Sequence, residues 1–207
     1  KIRHNPYIQR YPKTKVEDTE VYHINDGKTA VIHVGDSKEG WVAALNEFFA
    51  ILTDNDDVNE ISIYYDYIRP HGTRLNTFGG TASGHEPLQE MFEGIEKVLK
   101  NEIDPSLEPL EKVGDNRVKV RPIHVLDIAN LIGNNVVVGG VRRTAEIFLF
   151  DADDYESMFA KYGINGIWDE AQHRKVIERV RGLGLDKYAD YLESLPINDP
   201  NARPLHH

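Results

Sequence analysis

Two glycine-rich loops carry the residues whose chemistry is most easily interpreted from the sequence. The first is the stretch "FGGTASGHEP", which precedes a predicted helix. Its glycines allow the backbone to approach a ligand, its hydroxyls can form hydrogen bonds, and the N-terminus of the following helix offers unpaired N–H groups. This combination favours a phosphate. The candidate binding residues are Gly79, Gly80, Thr81, Ala82 and Ser83.

A plain connector is the alternative for this loop, because short glycine-rich loops are common and Thr or Ser often caps a helix. The loop lacks the Gly-Lys-Ser/Thr ending of a P-loop and the Gly-x-Gly-x-x-Gly spacing of a dinucleotide fingerprint. Neither of those two phosphate-binding motifs is therefore predicted.

The second loop, "GGVRRTAE", lies between two apolar segments. Gly139 and Gly140 give it conformational freedom, and Arg142 and Arg143 can clamp an anion with forked donors. Val141 could press on a flat base. The alternative is that both arginines pair with surface carboxylates, and such exposed pairs contribute only about 0–1 kcal/mol each.

A third group of polar residues follows the predicted strand "ISIYYDYI". Asp66 could accept a hydrogen bond from a hydroxyl, and Arg69 and Arg74 could reach a phosphate. Pro70 stiffens the turn. The alternative is an ordinary strand end with solvated charges.

The composition narrows the function further. The 207 residues carry a formal net charge of −10, which argues against general affinity for nucleic acid or an anionic membrane. The chain has no cysteine, which excludes disulfides, thiolate metal sites and thiol catalysis within it. The histidines and aspartates show no convincing metal-ligand spacing, and no run of residues is apolar enough to span a membrane. We expect a cytoplasmic protein.

The hydrophobic pattern predicts an α/β fold in which both glycine-rich loops lie beside strands. Asp36 or Ser37 is expected to cap the first helix. The chain before the first strand shows no clear period and is predicted to be an extended arm or loop. The predicted strands cover 21–24, 29–34, 61–68 and 145–150, and the main predicted helices cover 37–52, 87–102, 121–138, 169–184 and 185–195.

Two stretches together resemble a known family. These are "YDYIRPHGTRLNTFGGTASGHEPLQEMF" and, about fifty residues further on, "VVVGGVRRTAEI". They are similar to the adenosylcobalamin-dependent (class II) ribonucleotide reductases, and most of all to the monomeric ribonucleoside-triphosphate reductases of lactobacilli. The resemblance implies part of a ten-stranded α/β barrel with an inserted helical and hairpin segment. Residues 1–58 would be the insertion, 59–150 the barrel portion with both loops, and 151–207 a helical extension.

The resemblance also implies what the loops do. The loop Ile68–Ser83 and the loop Gly139–Arg143 would bind a deoxynucleoside triphosphate that sets substrate specificity, and the second loop would also touch the base of the ribonucleotide substrate. Arg69 and the Gly79–Ser83 backbone would hold the phosphate and sugar of this effector. Asp66 would accept from the ribose hydroxyl.

The absence of cysteine departs from this family, whose chemistry uses a radical cysteine and a reducing cysteine pair. No catalytic residue is therefore assigned to the chain. We expect a fragment, a split-gene product or a partial chain, completed by the remainder of the reductase, with adenosylcobalamin as cofactor and a thioredoxin-type reductant. Two alternatives stay open: a catalytically silent nucleotide-binding regulator, and an unrelated α/β enzyme that uses Asp66, His71 or His85 as acid–base groups.

Overall fold

The computed structural model describes residues 1–9, 14–75, 80–103, 110–114, 117–137, 145–160 and 170–195. These residues fall into two compact units, one drawn from Lys1–Glu93 and Val137–Arg142 and the other from Gly94–Val136 and Arg143–His207. The elements in chain order are β1 (Ile2–His4), β2 (Glu20–Ile24), β3 (Thr29–His33), α1 (Lys38–Asp54), β4 (Glu60–Tyr64), α2 (Glu86–Leu99), α3 (Pro122–Val137), α4 (Tyr155–Met158), α5 (Glu170–Gly182) and α6 (Asp186–Ser194).

A four-stranded mixed sheet forms the centre of the first unit, with the strands in the order β1-β4-β3-β2. Strands β2 and β3 form the predicted antiparallel hairpin. Its turn has positive φ at Asn25 (55°), Asp26 (55°) and Gly27 (83°), the residue types that adopt this conformation most easily. The turn chemistry of the sequence therefore fixes the hairpin.

Strand β4 lies between two parallel neighbours. Strand β3 pairs with one of its edges and is connected to it through α1, which makes a βαβ unit. Strand β1 pairs with the other edge, in register from Ile2↔Ile61 to His4↔Ile63. The sequence analysis treats the N-terminal residues as an arm or loop and misses β1, because three residues are too few to show a period.

Helix α1 begins where the sequence predicts. Ser37 has extended backbone (φ −149°, ψ 164°), and its hydroxyl accepts from the Gly40 N–H at 2.8 Å. Ala44 and Phe48 lie on the buried face, and the helix packs on β3. The Phe48 ring meets Phe92 of α2 edge to face, with ring centroids 5.3 Å apart. These apolar contacts form the core on one side of the sheet.

The segment just before β2 packs tightly onto the start of α1. The Thr19 hydroxyl accepts from the Gly35 N–H at 3.0 Å and donates to the Gly40 carbonyl at 2.6 Å. The Ser37 hydroxyl donates to the Glu17 carbonyl at 2.7 Å. The glycines at 35 and 40 make this close approach of backbones possible.

Helices make up the second unit. Gly94 lies against Leu131 of α3, where an added Cβ would be 3.0 Å from the leucine methyl groups. One apolar cluster joins Ile123, Leu126 and Ala160, with Phe148 packed against it. A second cluster contains Ile177, Ala189 and Leu192 and is flanked by Phe159, Val176, Val180 and Leu195.

A buried histidine fixes the start of α3. His124 is 1 % exposed, its Nδ1 accepts from the Arg121 N–H at 3.2 Å, and its Nε2 lies 2.9 Å from Asn101 Oδ1. Because Nδ1 is the acceptor, the neutral ring carries its proton on Nε2 and donates to Asn101. Burial, together with the nearby Arg121 charge, lowers the pKa of His124 from its usual 6.5.

We expect the free energy of unfolding to fall as the pH drops below about 6.5, because the unfolded chain then binds a proton that buried His124 resists. Denaturant unfolding at pH 7.5 and pH 5.5 measures the difference. In a His124→Asn variant we expect the difference in unfolding free energy between the two pH values to shrink. Buried His173 contributes to the difference that remains, because burial lowers its pKa as well. An unchanged pH dependence in this variant would contradict the assignment.

Two predictions from the sequence need correction, and a third is not tested. The strand predicted over 61–68 ends at Tyr64, and a turn follows it. No strand forms at 145–150, where Ile147 is 85 % and Leu149 82 % exposed. A short apolar run becomes a strand only beside a partner strand, and the described residues supply none there. The described strands form a single four-stranded sheet, so the ten-stranded barrel stays a prediction.

Candidate functional site

The candidate site lies at the carboxyl ends of the parallel strands β3 and β4. Both strands end at the same edge of the sheet, where His33 pairs with Tyr64. Helix α1 begins just after β3, and the turn that contains Asp66 and Arg69 follows β4. In α/β folds, ligands bind preferentially beyond the carboxyl ends of parallel strands.

Arg69 is fixed in place by Asp36. Its Nε donates to both carboxylate oxygens, at 3.0 Å to Oδ1 and 2.8 Å to Oδ2, and its Nη2 donates to the Asp36 carbonyl at 3.3 Å. The Arg69 N–H also lies 3.4 Å from Oδ1. Of the five guanidinium N–H groups, both on Nη1 and one on Nη2 make no hydrogen bond to the described residues.

Burial sets the energetics of this ion pair. The side chains of Arg69 and Asp36 are 19 % and 5 % exposed. Loss of hydration raises the pKa of Asp36 above its usual range, although the hydrogen bonds and charge of Arg69 act in the opposite direction. Keeping the buried Asp36 carboxylate ionised therefore costs free energy, as in other buried ion pairs. A contribution to stability alone does not explain why the chain contains this pair.

Asp66 is buried and contacts His33. Its Oδ1 lies 3.1 Å from His33 Nδ1. The His33 ring stacks on Tyr64, with centroids 4.6 Å apart and planes 9° apart, and on Tyr67 at 5.3 Å. Its Nε2 lies 3.2 Å from the Tyr22 hydroxyl. The carboxylate predicted to accept from a ribose hydroxyl therefore has one oxygen bound to histidine.

Ile68 contributes to the core of the first unit. Its side chain is 1 % exposed, its N–H donates to the Tyr65 carbonyl at 3.0 Å, and its carbonyl accepts from the Tyr7 hydroxyl at 3.0 Å. The Tyr7 ring stacks on His85 at 3.9 Å. Because its side chain and both backbone groups are engaged, Ile68 shapes the site rather than facing it.

The glycine-rich loop folds back on itself as a short antiparallel ladder. Gly72 and Thr73 exchange backbone hydrogen bonds with Ala82, at 2.9 and 2.7 Å, and the Leu75 N–H donates to the Gly80 carbonyl at 3.0 Å. Ala82 is 8 % exposed and engaged through both backbone groups. The remaining candidates are accessible: Gly80 (φ 93°) and Thr81 are exposed, and Ser83 is half-buried.

Some of the predicted site lies outside the described residues. This applies to Gly79 of the first loop and to the whole second loop, which contains Gly139, Gly140, Val141, Arg142 and Arg143. A shared pocket between the two loops stays a prediction.

The predicted acid–base groups are not paired with one another among the described contacts. Asp66 contacts His33, His71 is exposed, and His85 stacks on Tyr7 with its Nδ1 3.5 Å from Glu86 Oε2. The alternative of an unrelated α/β enzyme that uses Asp66, His71 or His85 as acid–base groups gains no support from these contacts.

The sequence analysis missed the residues that hold the site in shape. His33, Asp36 and Tyr7 precede their partners by 33, 33 and 61 positions. Their position in the sequence could have marked two of them as candidates. His33 and Asp36 are polar residues at the end of an apolar strand that precedes a helix. Such positions point toward a site when a parallel neighbour is known.

Among the described residues, no three histidine or acidic side chains converge as metal ligands. In the described part of the chain, no helix has both the length and the apolar character required to cross a bilayer.

Comparison with known proteins identifies the relatives of this chain. Residues 8–99 match the family model of the insertion domain of B12-dependent ribonucleotide reductase. The adenosylcobalamin-dependent ribonucleoside-triphosphate reductase of Lactobacillus helveticus is 37 % identical over 137 residues, which cover 64 % of this chain and 17 % of that protein. Over these residues the chain is similar to the adenosylcobalamin-dependent ribonucleotide reductases. The resemblance predicted from the two loop sequences is confirmed.

A second curated relative shows the same similarity. The reductase of the same name from Lactobacillus acidophilus is 38 % identical over 124 residues, covering 58 % of this chain and 15 % of that protein. A crystal structure of a B12-dependent (class II) ribonucleotide reductase aligns with 76 % of this chain and 22 % of its own, at 25 % identity and a TM-score of 0.49.

The extent of these matches limits what they establish. The chain spans about a sixth of the length of the relatives it matches, 17 % in the first case. The insertion-domain match extends beyond residue 58 and ends at Leu99, where α2 also ends. The division of the chain at residues 58 and 150 stays a prediction.

Proposed function

We propose that this chain is the part of a ribonucleotide reductase that binds the deoxynucleoside triphosphate effector. The parent enzyme would reduce ribonucleotides to deoxyribonucleotides, and the effector would select which ribonucleotide is reduced. The observation that carries the proposal is Arg69, which is oriented by Asp36 at the carboxyl ends of two parallel strands and retains N–H donors that the described residues do not use.

The polar groups of the site suit different parts of such an effector. The outer edge of the Arg69 guanidinium can form paired hydrogen bonds with a phosphate. A deoxynucleoside 5′-triphosphate has one free sugar hydroxyl, at the 3′ position, and Asp66 is the acceptor for it. Gly80 and Thr81 are exposed next to the ladder and can approach the sugar or phosphates.

Electrostatics require more cations than this part of the site supplies. Asp36, Asp66 and Arg69 together carry two negative charges and one positive charge, which leaves −1. A triphosphate brings several more negative charges, so further positive groups must approach it. We assign this role to Arg142 and Arg143 of the second loop, whose contact with the substrate base would report which effector is bound.

The remaining chemistry belongs to other parts of the parent enzyme. The chain has no cysteine, so radical initiation and reduction by a cysteine pair lie elsewhere, as does the thioredoxin-type reductant. Adenosylcobalamin is proposed as the cofactor of the parent, and no feature of the described residues fits it. A cytoplasmic location is part of the same proposal.

Calorimetric titration of the complete protein with dATP, dGTP, dTTP and dCTP tests effector binding. We expect heat from at least one of the four. If the folded protein binds none of them at millimolar concentration, both the effector site and the silent-regulator alternative are excluded.

Substitution in the second loop is expected to affect selectivity more than folding. Arg142→Ala or Arg143→Ala removes a charge-assisted hydrogen bond, so we expect effector-dependent selectivity or turnover to fall by about tenfold or more. Arg174→Ala is the matched control, because Arg174 is exposed on α5 and pairs only with Glu170 of the same helix among the described residues. A variant with a lower free energy of unfolding but normal selectivity would show a structural role instead.

A catalytically silent nucleotide-binding regulator is the second candidate, favoured by the absence of cysteine in this chain. The two candidates differ in one measurement. Effector-dependent reduction of a ribonucleotide by the complete protein supports the reductase. Effector binding without any reduction, in the presence of adenosylcobalamin and a dithiol, supports the regulator.

A further inference from the structure

The end of strand β3 contacts both polar side chains of the turn after β4. His33, the last residue of β3, contacts Asp66, with 3.1 Å between His33 Nδ1 and Asp66 Oδ1. Asp36 lies three positions further and binds Arg69, with 2.8 Å between Arg69 Nε and Asp36 Oδ2. Because β3 and β4 are adjacent and parallel, these contacts cross from one strand end to the next.

The surroundings of His33 determine which oxygen of Asp66 stays available. The tyrosine rings of residues 22, 64 and 67 stack around the imidazole and limit its rotation. An ionised carboxylate only accepts hydrogen bonds, so Nδ1 carries the proton, and Nε2 accepts from the Tyr22 hydroxyl. Oδ1 of Asp66 is thereby engaged, and Oδ2 makes no hydrogen bond to the described residues.

The surroundings of Asp36 determine the orientation of Arg69 in the same way. The carboxylate and carbonyl of Asp36 engage Nε and one N–H of Nη2, so the planar guanidinium is held along its inner edge. Asp36 itself is anchored, because its N–H donates to the Val16 carbonyl at 2.7 Å and the next residue caps α1. The Nη1 side of Arg69 remains as the free edge.

We propose that His33 and Asp36 are positioning residues for effector recognition. His33 directs the free oxygen of Asp66 toward the 3′-hydroxyl of the effector, and Asp36 directs the free edge of Arg69 toward a phosphate. Neither residue touches the effector. The inference rests on the proposed function, and it follows the general rule that groups which orient a ligand-binding side chain contribute to affinity by reducing its freedom before binding.

The sugar contact is tested by comparing dissociation constants for each deoxynucleoside triphosphate and its 2′,3′-dideoxy analogue in the complete protein. His33→Phe retains an aromatic ring in the tyrosine stack and removes the N–H group. We expect the preference of the protein for the 3′-hydroxyl form to fall by about tenfold. His33→Asn places an amide N–H close to the original Nδ1 and is expected to restore part of the preference.

The phosphate contact is tested by comparing a deoxynucleoside triphosphate with the matching deoxynucleoside. Asp36→Asn removes the charge that holds Arg69. We expect the affinity for the triphosphate to fall by about tenfold and that for the deoxynucleoside to stay unchanged. The matched controls are His23→Phe, on exposed β2, and Asp26→Asn, in the hairpin turn, and both are expected to leave all constants unchanged.

Each outcome decides one point. Both constants of a ratio come from the same preparation, so partial unfolding of a variant does not change the ratio. The positioning role is overturned if the ratios of dissociation constants in His33→Phe and Asp36→Asn equal those of the wild type. Tighter triphosphate binding by Asp36→Asn would overturn it as well. In both cases the proposed function stands. Equal affinity of the wild type for the deoxy and dideoxy forms would also overturn the role of His33. Failure of the wild type to bind any deoxynucleotide would instead reject the proposed function.

Discussion

Replacing Gly35 with alanine is expected to lower the free energy of unfolding by about 3 kcal/mol or more, at the upper end of the range for overpacking. A Cβ at this position would lie 2.2 Å from the Glu17 carbonyl oxygen and 2.5 Å from the carbonyl carbon of Asp18. Both neighbours are backbone atoms that cannot rotate away. The two chain segments must therefore separate, which breaks the Thr19 bridge between Gly35 and Gly40. Denaturant unfolding of the variant and the wild type measures the loss.

Gly182→Ala is the control for this experiment. Gly182 ends α5, and an added Cβ there meets nothing within 4 Å, so we expect a neutral or slightly stabilising change. Gly35 also directly precedes Asp36, and on the proposed function the same displacement is expected to weaken effector binding in parallel. Wild-type stability in Gly35→Ala would show that the segment before β2 does not pack on this turn as described.

Truncation of Phe92 to alanine is expected to cost about 3–5 kcal/mol, the usual range for a buried aromatic side chain. Phe92 is fully buried, and its ring lies 5.3 Å from Phe48 and 6.5 Å from Tyr65 between centroids. The loss combines the transfer of apolar surface to water with the cavity left between α1 and α2. Phe92→Leu fills part of that cavity and should cost less.

Val42→Ala provides the comparison for Phe92. Val42 lies on α1 but is 67 % exposed, so we expect a change within about 0.5 kcal/mol. Chemical denaturation followed by circular dichroism distinguishes the two variants. Equal losses for Phe92→Ala and Val42→Ala would contradict the placement of Phe92 in the core beside Phe48.

Local chemistry in the sequence predicted much of the first unit. The Asn-Asp-Gly turn specifies the hairpin, the spacing of Phe48 and its apolar neighbours specifies α1, and Ser37 marks where that helix begins. Each of these signals involves residues within a few positions of one another. The loop motifs, which need no fold to be recognised, led to the reductase family.

The contacts that shape the candidate site could not be predicted in this way. The pairing of β3 with β4 is parallel and brings His33 and Asp36 next to a turn more than thirty residues later. No local pattern reports which strand ends become neighbours. The sequence identified Asp66 and Arg69 as polar groups after a strand, but their partners became apparent only from the sheet order.

The clearest error among the predictions from the sequence is the strand over 145–150. Ile147 and Leu149 belong to a continuous apolar run, as is typical of a buried strand, yet they lie in neither a helix nor a strand and are largely exposed. The apolar pattern indicates that the segment is able to form a strand, but a strand forms only when a second strand pairs with it. Within the proposed function, other parts of the reductase would cover this segment.

The central position of β4 has a consequence for the order in which the first unit forms. The β2–β3 hairpin closes between residues that are near in sequence, whereas Ile2 can pair only after Ile61 has been synthesised. Contacts between distant residues form late, because a long loop must close first. We therefore expect the hairpin and α1 to form early on the ribosome, and β1 to pair with β4 last. Tyr7 would then donate to the Ile68 carbonyl only at the end of folding, so that, within the proposed function, the effector site would be completed in the final step.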